Sequence, residues 1–192
     1  MKLPPFILAS ASPRRAELVK ELGIAFKVES ADNEELHPSH LTPHEICQVN
    51  AYRKARAVAK RKPDAVVLGA DTIVVLGKEI FGKPRDGAEA RRMLARLQGQ
   101  THQVITGVCL IQLREHRQKL FAVSTSVAFR PLTTGQIQDY LASINPLDKA
   151  GAYAIQENGG AIIEEITGSR SNVVGLPLER LREELRDWGF RC

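Results

Sequence analysis

The 192-residue chain reads as an α/β protein built on a mixed twisted sheet flanked by helices. Three observations predict it. Strand-like and helix-like signals alternate through the first half, the pattern of parallel strands joined through helices. The run 65–76, apolar except at Gly69, Asp71 and Thr72, has the character of a central strand covered on both faces. Two long strand signals, 104–113 and 120–129, are separated by a polar turn and predict an antiparallel pair.

In order along the chain, Phe6-Ile7-Leu8-Ala9 is a short buried strand. Ser12 stands at an N-cap with Pro13 in the first helical position; Leu18, Val19 and Leu22 form the apolar stripe, and Gly23 ends the helix. Ala25-Phe26-Lys27-Val28 is a second strand, followed by an acidic loop at 29–35. Thr42-Pro43-His44-Glu45 is a capping box, opening a helix expected to reach about Lys62 with Ile46, Val49, Ala57 and Val58 inward. After the central strand, Gly77-Lys78 turns the chain into Ile80-Phe81. Asp86 caps a helix with Met93, Leu94 and Leu97 inward and Gly99 as its stop, and 133–136 opens another through Leu141. A glycine-rich stretch, 151–160, precedes a strand at Ala161-Ile162-Ile163. Pro177 opens a last amphipathic helix carrying Leu178, Leu181, Leu185 and Trp188. There is no repeat and no low-complexity linker, and the pattern leaves one lobe and two lobes open.

Composition narrows the class. Hydrophobic residues at 43% and charged residues at 26% are ordinary for a soluble globular chain, and no apolar run approaches the roughly 20 residues of a membrane span. Met1-Lys2-Leu3-Pro4-Pro5 lacks the pattern of a secretory signal, so the expected location is cytoplasmic, with no membrane partner. Cys47, Cys109 and Cys192 are far apart and odd in number, which argues against a disulfide framework or a metal knuckle. The net charge of +5 suits an anionic ligand. Nucleic acid is set aside, because aromatics are only 5% and no basic stripe alternates with them. His37, His40, His44, His102 and His116 read as solvated or capping residues.

Chemistry concentrates at a few places. Ser10-Ala11-Ser12-Pro13-Arg14-Arg15 joins a strand to a helix, bringing together two hydroxyls, unpaired backbone N–H groups and two guanidinium forks. Helix N-termini favour anions, and arginine forks match phosphate. The plainer alternative is a pair of solvated first-turn arginines. Asp71 is the second signal: a carboxylate inside an apolar strand costs several kcal/mol unless a cation or donor meets it. Thr72 is expected to add a polar group to the same spot. Lys54, four residues after Asn50, lies near the inward stripe of its helix and is placed to meet Asp71. Its alternative is snorkelling into water. Gly82-Lys83-Pro84 presents a lysine on a rigid turn, and 149–156 is a small-residue segment suited to close approach of a ligand, with Gln156 able to read a base edge. A phosphate corner, a buried carboxylate and an inward lysine suit metal-assisted attack of water on a phosphoanhydride.

These motifs, in this order, resemble the Maf family of nucleoside triphosphate pyrophosphatases. The resemblance rests on 8–15, Gly69-Ala70-Asp71-Thr72-Ile73-Val74, Gly82-Lys83-Pro84, Thr106-Gly107-Val108, Asp148-Lys149-Ala150-Gly151-Ala152-Tyr153-Ala154-Ile155-Gln156 and Asn172-Val173-Val174-Gly175-Leu176-Pro177-Leu178. It implies a single Maf-like domain over 1–192, inosine-triphosphatase-like in fold, with two lobes around a cleft and a homodimeric state. It implies hydrolysis between the α- and β-phosphates of a nucleoside triphosphate to monophosphate and pyrophosphate with Mg²⁺ or Mn²⁺. Ser10, Arg14 and Arg15 resemble the phosphate-binding residues, Asp71 the catalytic acid and metal ligand, Glu34 (or, with a one-residue slip, Glu35) the second metal-site residue, and Lys54 and Lys83 the catalytic lysines. Tyr153-Ala154-Ile155-Gln156 looks like the branch acting on dTTP and UTP, including modified pyrimidine nucleotides, rather than the branch acting on 7-methyl-GTP. Here the chain departs from that branch's Gly-Leu-Gly-like continuation with Glu157-Asn158-Gly159-Gly160. The family is also linked to septum formation, which makes a slow-turnover nucleotide-binding regulator the alternative.

Overall fold

Strand β1 (Phe6–Leu8), helix α1 (Pro13–Lys20) and strand β2 (Phe26–Val28) open the chain, and helix α2 (Pro43–Arg61) leads into the long strand β3 (Val66–Leu76). β1 pairs in parallel with β2 on one side and with β3 on the other, with Leu8 opposite Val28 and Leu68. The chain therefore winds outward from β1 in both directions. The carboxyl end of β1 lies at a topological switch point, where open α/β sheets leave a crevice. This computed structural model describes residues 3–30 and 34–192.

The remaining elements are β4 (Glu79–Phe81), α3 (Gly87–Leu97), β5 (Thr101–Gln112), β6 (Arg117–Phe129), α4 (Thr134–Ala142), β7 (Ile163–Thr167), α5 (Arg170–Val174) and α6 (Leu178–Asp187). Among the described residues seven strands form one sheet, in the order β2-β1-β3-β5-β6-β7, with β4 on β3. β3–β4 and β6–β7 are antiparallel. β5 and β6 are antiparallel too: Phe129 N–H donates to Gln100 O while Gln103 Nε2 donates to Ser126 Oγ, so one number falls as the other rises. The sheet is mixed, as the sequence predicts.

The chain divides into two compact units, the first comprising 1–71, 106–123 and 175–192 and the second 72–105 and 124–174. In the first, Ile7, Ala9 and Val67 pack with Ala51, Ala55, Val58 and Ala59 of α2, whereas Phe6, on the opposite face of β1, meets the ring of Phe190 beyond α6 edge-on. α2 thus packs on one face of β1 and the segment after α6 on the other. α2 lies unusually close to the sheet. A Cβ on Gly69 would stand 2.3 Å from Ala51 O, and one on Gly107 would stand 2.4 Å from the Cys47 carbonyl carbon. The second unit gathers Val74, Leu94, Leu97, Val104, Val127, Phe129, Ile137, Tyr140, Tyr153 and Ile155 into a core of its own.

The caps read from sequence are present. Ser12 accepts from Arg15 N–H, and Thr42–Glu45 and Thr133–Gln136 form capping boxes. Two expectations shift. The buried stripe of α2 is Ile46, Cys47, Asn50, Ala51, Ala55, Val58 and Ala59, with Val49 and Ala57 only half-buried. The stripe is rotated because small residues, rather than the larger ones, face the glycines of the sheet. The last strand is Ile163–Thr167 rather than 161–163, since Gly159–Ala161 forms a 3₁₀ turn. A register shift at Ala128/Phe129 sets Phe129 opposite Ile163 and Ala128 opposite Glu165. That bulge breaks the two-residue alternation by which a strand is recognised.

Candidate active site

On β3, positions 67, 69 and 71 share the face toward α2, because strand positions alternate between faces. Thr72, the next residue, falls on the opposite face of the strand. Asp71 is 1% exposed. One turn of α2 meets it: Lys54 Nζ donates to Oδ1 at 2.7 Å and Asn50 Nδ2 to Oδ2 at 3.1 Å. Asn50 and Lys54 are four residues apart and so lie on one helix face. The missing side chain at Gly69 brings that face within reach of the strand. Lys54 meets Asp71 as the sequence suggests and does not snorkel.

The same turn holds the loop after β2. Leu36 N–H donates to Asn50 Oδ1 at 2.9 Å, Asn50 Nδ2 donates to Leu36 O at 3.0 Å, and Arg53 Nη1 donates to Glu34 O at 2.7 Å. These backbone ties bring Glu35 Oε1 to 2.8 Å from Lys54 Nζ. Glu34 is exposed, and its tie to α2 is through its carbonyl. Asp32 and Asn33 of the same loop lie outside the described residues.

At the carboxyl end of β1, buried Ser10 accepts from Ser12 N–H at 3.2 Å and from Arg15 Nη1 at 3.3 Å. Arg15 Nε donates to Gly175 O at 2.9 Å. Burial pulls the Arg15 pKa down, and the charges of Asp71 and Glu35 push it back up. That coupling makes the basic turn and the carboxylate cluster one electrostatic neighbourhood. Arg14 is half-buried in the same first turn of α1.

The second unit carries the other two candidates. Lys83 is exposed on the turn after β4, and Gln156 is the first exposed residue after the buried run 151–155. The two motifs touch, since Gly151 N–H donates to Gly82 O at 3.0 Å. Packing by itself requires one small residue in that run. Gly151 has φ +70°, and a Cβ there would stand 3.0 Å from Val74 Cγ2.

Sequence reading missed the placement of two buried polar residues. Asn50 is an ordinary helix residue until the strand order places it over Asp71; its spacing of four from Lys54 was the available signal. His102 is 1% exposed rather than solvated, with Nε2 2.8 Å from Tyr153 Oη, Phe129 edge-on to its ring, and its pKa pushed down by burial to about 4.

Donor chemistry decides which metal would fit. Among the described residues no group of three or more His, Cys, Asp or Glu could hold an ion. Asp71 and Glu35 are two hard carboxylates already converging on one cation, the Lys54 ammonium. Two carboxylates, with substrate oxygens and water completing the shell, is the pattern that suits Mg²⁺.

Fold and site together define an α/β protein with a basic turn after its first strand and a buried, lysine-paired carboxylate on its central strand. The chain belongs to the Maf family, whose model, described as Maf-like protein, matches residues 5–188. It is 49% identical over 185 residues to a protein of Symbiobacterium thermophilum named dTTP/UTP pyrophosphatase, covering 96% of this chain and 94% of that one. Proteins of the same name from Pelotomaculum thermopropionicum and Akkermansia muciniphila are 45% and 44% identical, covering 96% and 99% of this chain and 96% and 100% of theirs. Among solved structures, the Staphylococcus aureus Ham1 protein superposes with a TM-score of 0.53 at 16% identity, over 95% of this chain and 98% of that one. At that identity the likeness is one of fold. No helix among the described residues is long and apolar enough to cross a membrane.

Proposed function

We propose that this protein hydrolyses the α–β phosphoanhydride of dTTP and UTP, and of modified pyrimidine nucleotides, to the monophosphate and pyrophosphate. The observation that carries this reading is the Asp71–Lys54–Glu35 cluster beside the Ser10–Arg15 turn. The names of the relatives agree with it.

The residues divide the work by chemistry. The α1 N-terminus with Arg14 and Arg15 binds phosphate oxygens, since backbone N–H groups and guanidinium forks both donate to them. Asp71, held by one ammonium and one amide, accepts the proton that the attacking water loses as its oxygen adds to phosphorus. The bond to the bridging oxygen breaks, and pyrophosphate leaves with that electron pair. Lys54 and Lys83 offset the charge that develops on the phosphates. Asp71 and Glu35 would hold Mg²⁺ or Mn²⁺, which when bound supplies further charge neutralisation. Gln156 reads the pyrimidine edge. A cytoplasmic location, a homodimeric state and a single-domain organisation are part of the proposal and rest on the resemblance.

The test is turnover of a nucleotide panel with Mg²⁺ or Mn²⁺, resolving pyrophosphate from orthophosphate. Pyrophosphate with dTMP or UMP is expected. Turnover of 7-methyl-GTP alone would overturn the pyrimidine assignment. Tight binding without turnover would overturn the enzyme and favour a nucleotide-binding regulator of septum formation.

A further inference from the structure

Asn50 is 1% exposed in the interior of α2, and its amide is bonded at both ends. Oδ1 accepts from Leu36 N–H at 2.9 Å, while Nδ2 donates to Leu36 O at 3.0 Å and to Asp71 Oδ2 at 3.1 Å. The two bonds to Leu36 fix which end of the amide lies where. Turned over, it would set its NH₂ against the Leu36 N–H, and its oxygen against two acceptors, Leu36 O and the carboxylate. What it presents to Asp71 is therefore an N–H donor. Tying the loop to α2 takes only the Leu36 pair, to which Arg53 Nη1 adds a bond at Glu34 O. The bond to Asp71 is the one that this tie does not account for.

The terminal torsion of an aspartate is broad, so a carboxylate held at one oxygen can turn about its Cβ–Cγ bond. Lys54 holds Oδ1 at 2.7 Å, with its ammonium shared with Glu35 at 2.8 Å. That contact alone leaves the rotation free. Asn50 takes the second oxygen from one helical turn away, and two donors at opposite ends set the carboxylate plane. A general base works when its accepting oxygen is within hydrogen-bond reach of the proton it removes. We propose that Asn50 is a positioning residue: aimed by the backbone of Leu36, its amide fixes the plane of the Asp71 carboxylate for proton transfer from the attacking water. This rests on the reading of Asp71 as the proton acceptor. Both N–H groups of the amide are engaged by Leu36 and Asp71, which leaves no donor for phosphate. Asn50 therefore acts on turnover rather than on substrate affinity.

The experiment measures kcat and KM for dTTP in the wild type, Asn50→Leu, Asp71→Asn and the double variant, with a thermal melt of each. Leucine branches at the same carbon as asparagine and removes all three bonds. Asn50→Leu is expected to lower kcat by ~10–100-fold, the scale of a misplaced group, with KM retained. In the Asp71→Asn background the same substitution should lower kcat no further, because no base is left to orient and residues that act as a unit are non-additive. A loss through packing or the loop alone would lower kcat by the same factor in both backgrounds, and that result overturns the proposal. So does wild-type kcat in Asn50→Leu while Asp71→Asn is slow, and the reading of Asp71 then stands. Wild-type kcat in Asp71→Asn overturns that reading, and the proposal with it. Asn50→Ala, which puts the best helix former in the interior of α2, carries the same comparison if Asn50→Leu does not fold.

Discussion

Lys54 Nζ lies 2.7 Å from Asp71 Oδ1 and 2.8 Å from Glu35 Oε1, so one ammonium from α2 bridges a carboxylate of the central strand and one of the loop after β2. Asn50 completes the arrangement by donating to the second oxygen of Asp71. Most of what can be tested follows from this bridge.

Replacing Asp71 by Asn keeps the shape and the contact with α2 but removes the proposed proton acceptor. Turnover of dTTP should fall by roughly 10²–10⁴, the scale of a general base, with KM little changed. Steady-state kinetics of the folded variant checks it; near wild-type kcat would remove Asp71 from the role.

Lys54→Met leaves the Asp71 charge buried with only an amide donor. Removing one partner of a buried ion pair costs about 3–5 kcal/mol, so the denaturation midpoint should drop sharply. The double variant Lys54→Met, Asp71→Asn should recover much of that loss, because the buried charge is then gone and Glu35, its side chain 32% exposed, reaches water. A double-mutant cycle in urea measures the coupling.

Gly69→Ala tests how the helix reaches the strand. Its Cβ would stand 2.3 Å from Ala51 O and 2.8 Å from Ala55 N, both helix backbone that cannot swing aside. α2 must lift, at a cost of about 1–3 kcal/mol. Activity should fall as well, since Asn50 and Lys54 move with the helix. Activity intact in a destabilised variant would separate the packing from the site.

His102 gives a pH signature. Its pKa is depressed in the folded protein from 6.5 to about 4 by burial, so the unfolded chain takes up the proton first as pH falls. Stability is therefore full above about pH 6.5 and declines between about 6.5 and 4, by an amount of order 3 kcal/mol from this group. Melting temperature against pH should show that slope, and His102→Phe should flatten it.

The local punctuation of the chain was legible because its causes are local. Ser12, Thr42, Asp86 and Thr133 cap helices through bonds to residues three positions on, and Gly23, Gly77 and Gly99 take positive φ where the chain turns. Asp71 and Lys54 could be singled out because a charge on an apolar face is anomalous wherever it sits. Glu34 and Glu35 could not be told apart, since only the backbone ties from Asn50 and Arg53 decide which carboxylate meets Lys54.

By itself, then, the sequence determined the α/β class, the capped helices, the buried strand and the basic turn at 10–15, all of which follow from periodicity and near-neighbour chemistry. Tertiary structure alone decided that β1 lies between β2 and β3, that α2 presses on Gly69 and Gly107 and so delivers Asn50 and Lys54 to Asp71, and that His102 is buried beside Tyr153. Strand order and helix approach arise from contacts between residues distant in the chain, and no periodicity encodes which distant surface a face will meet.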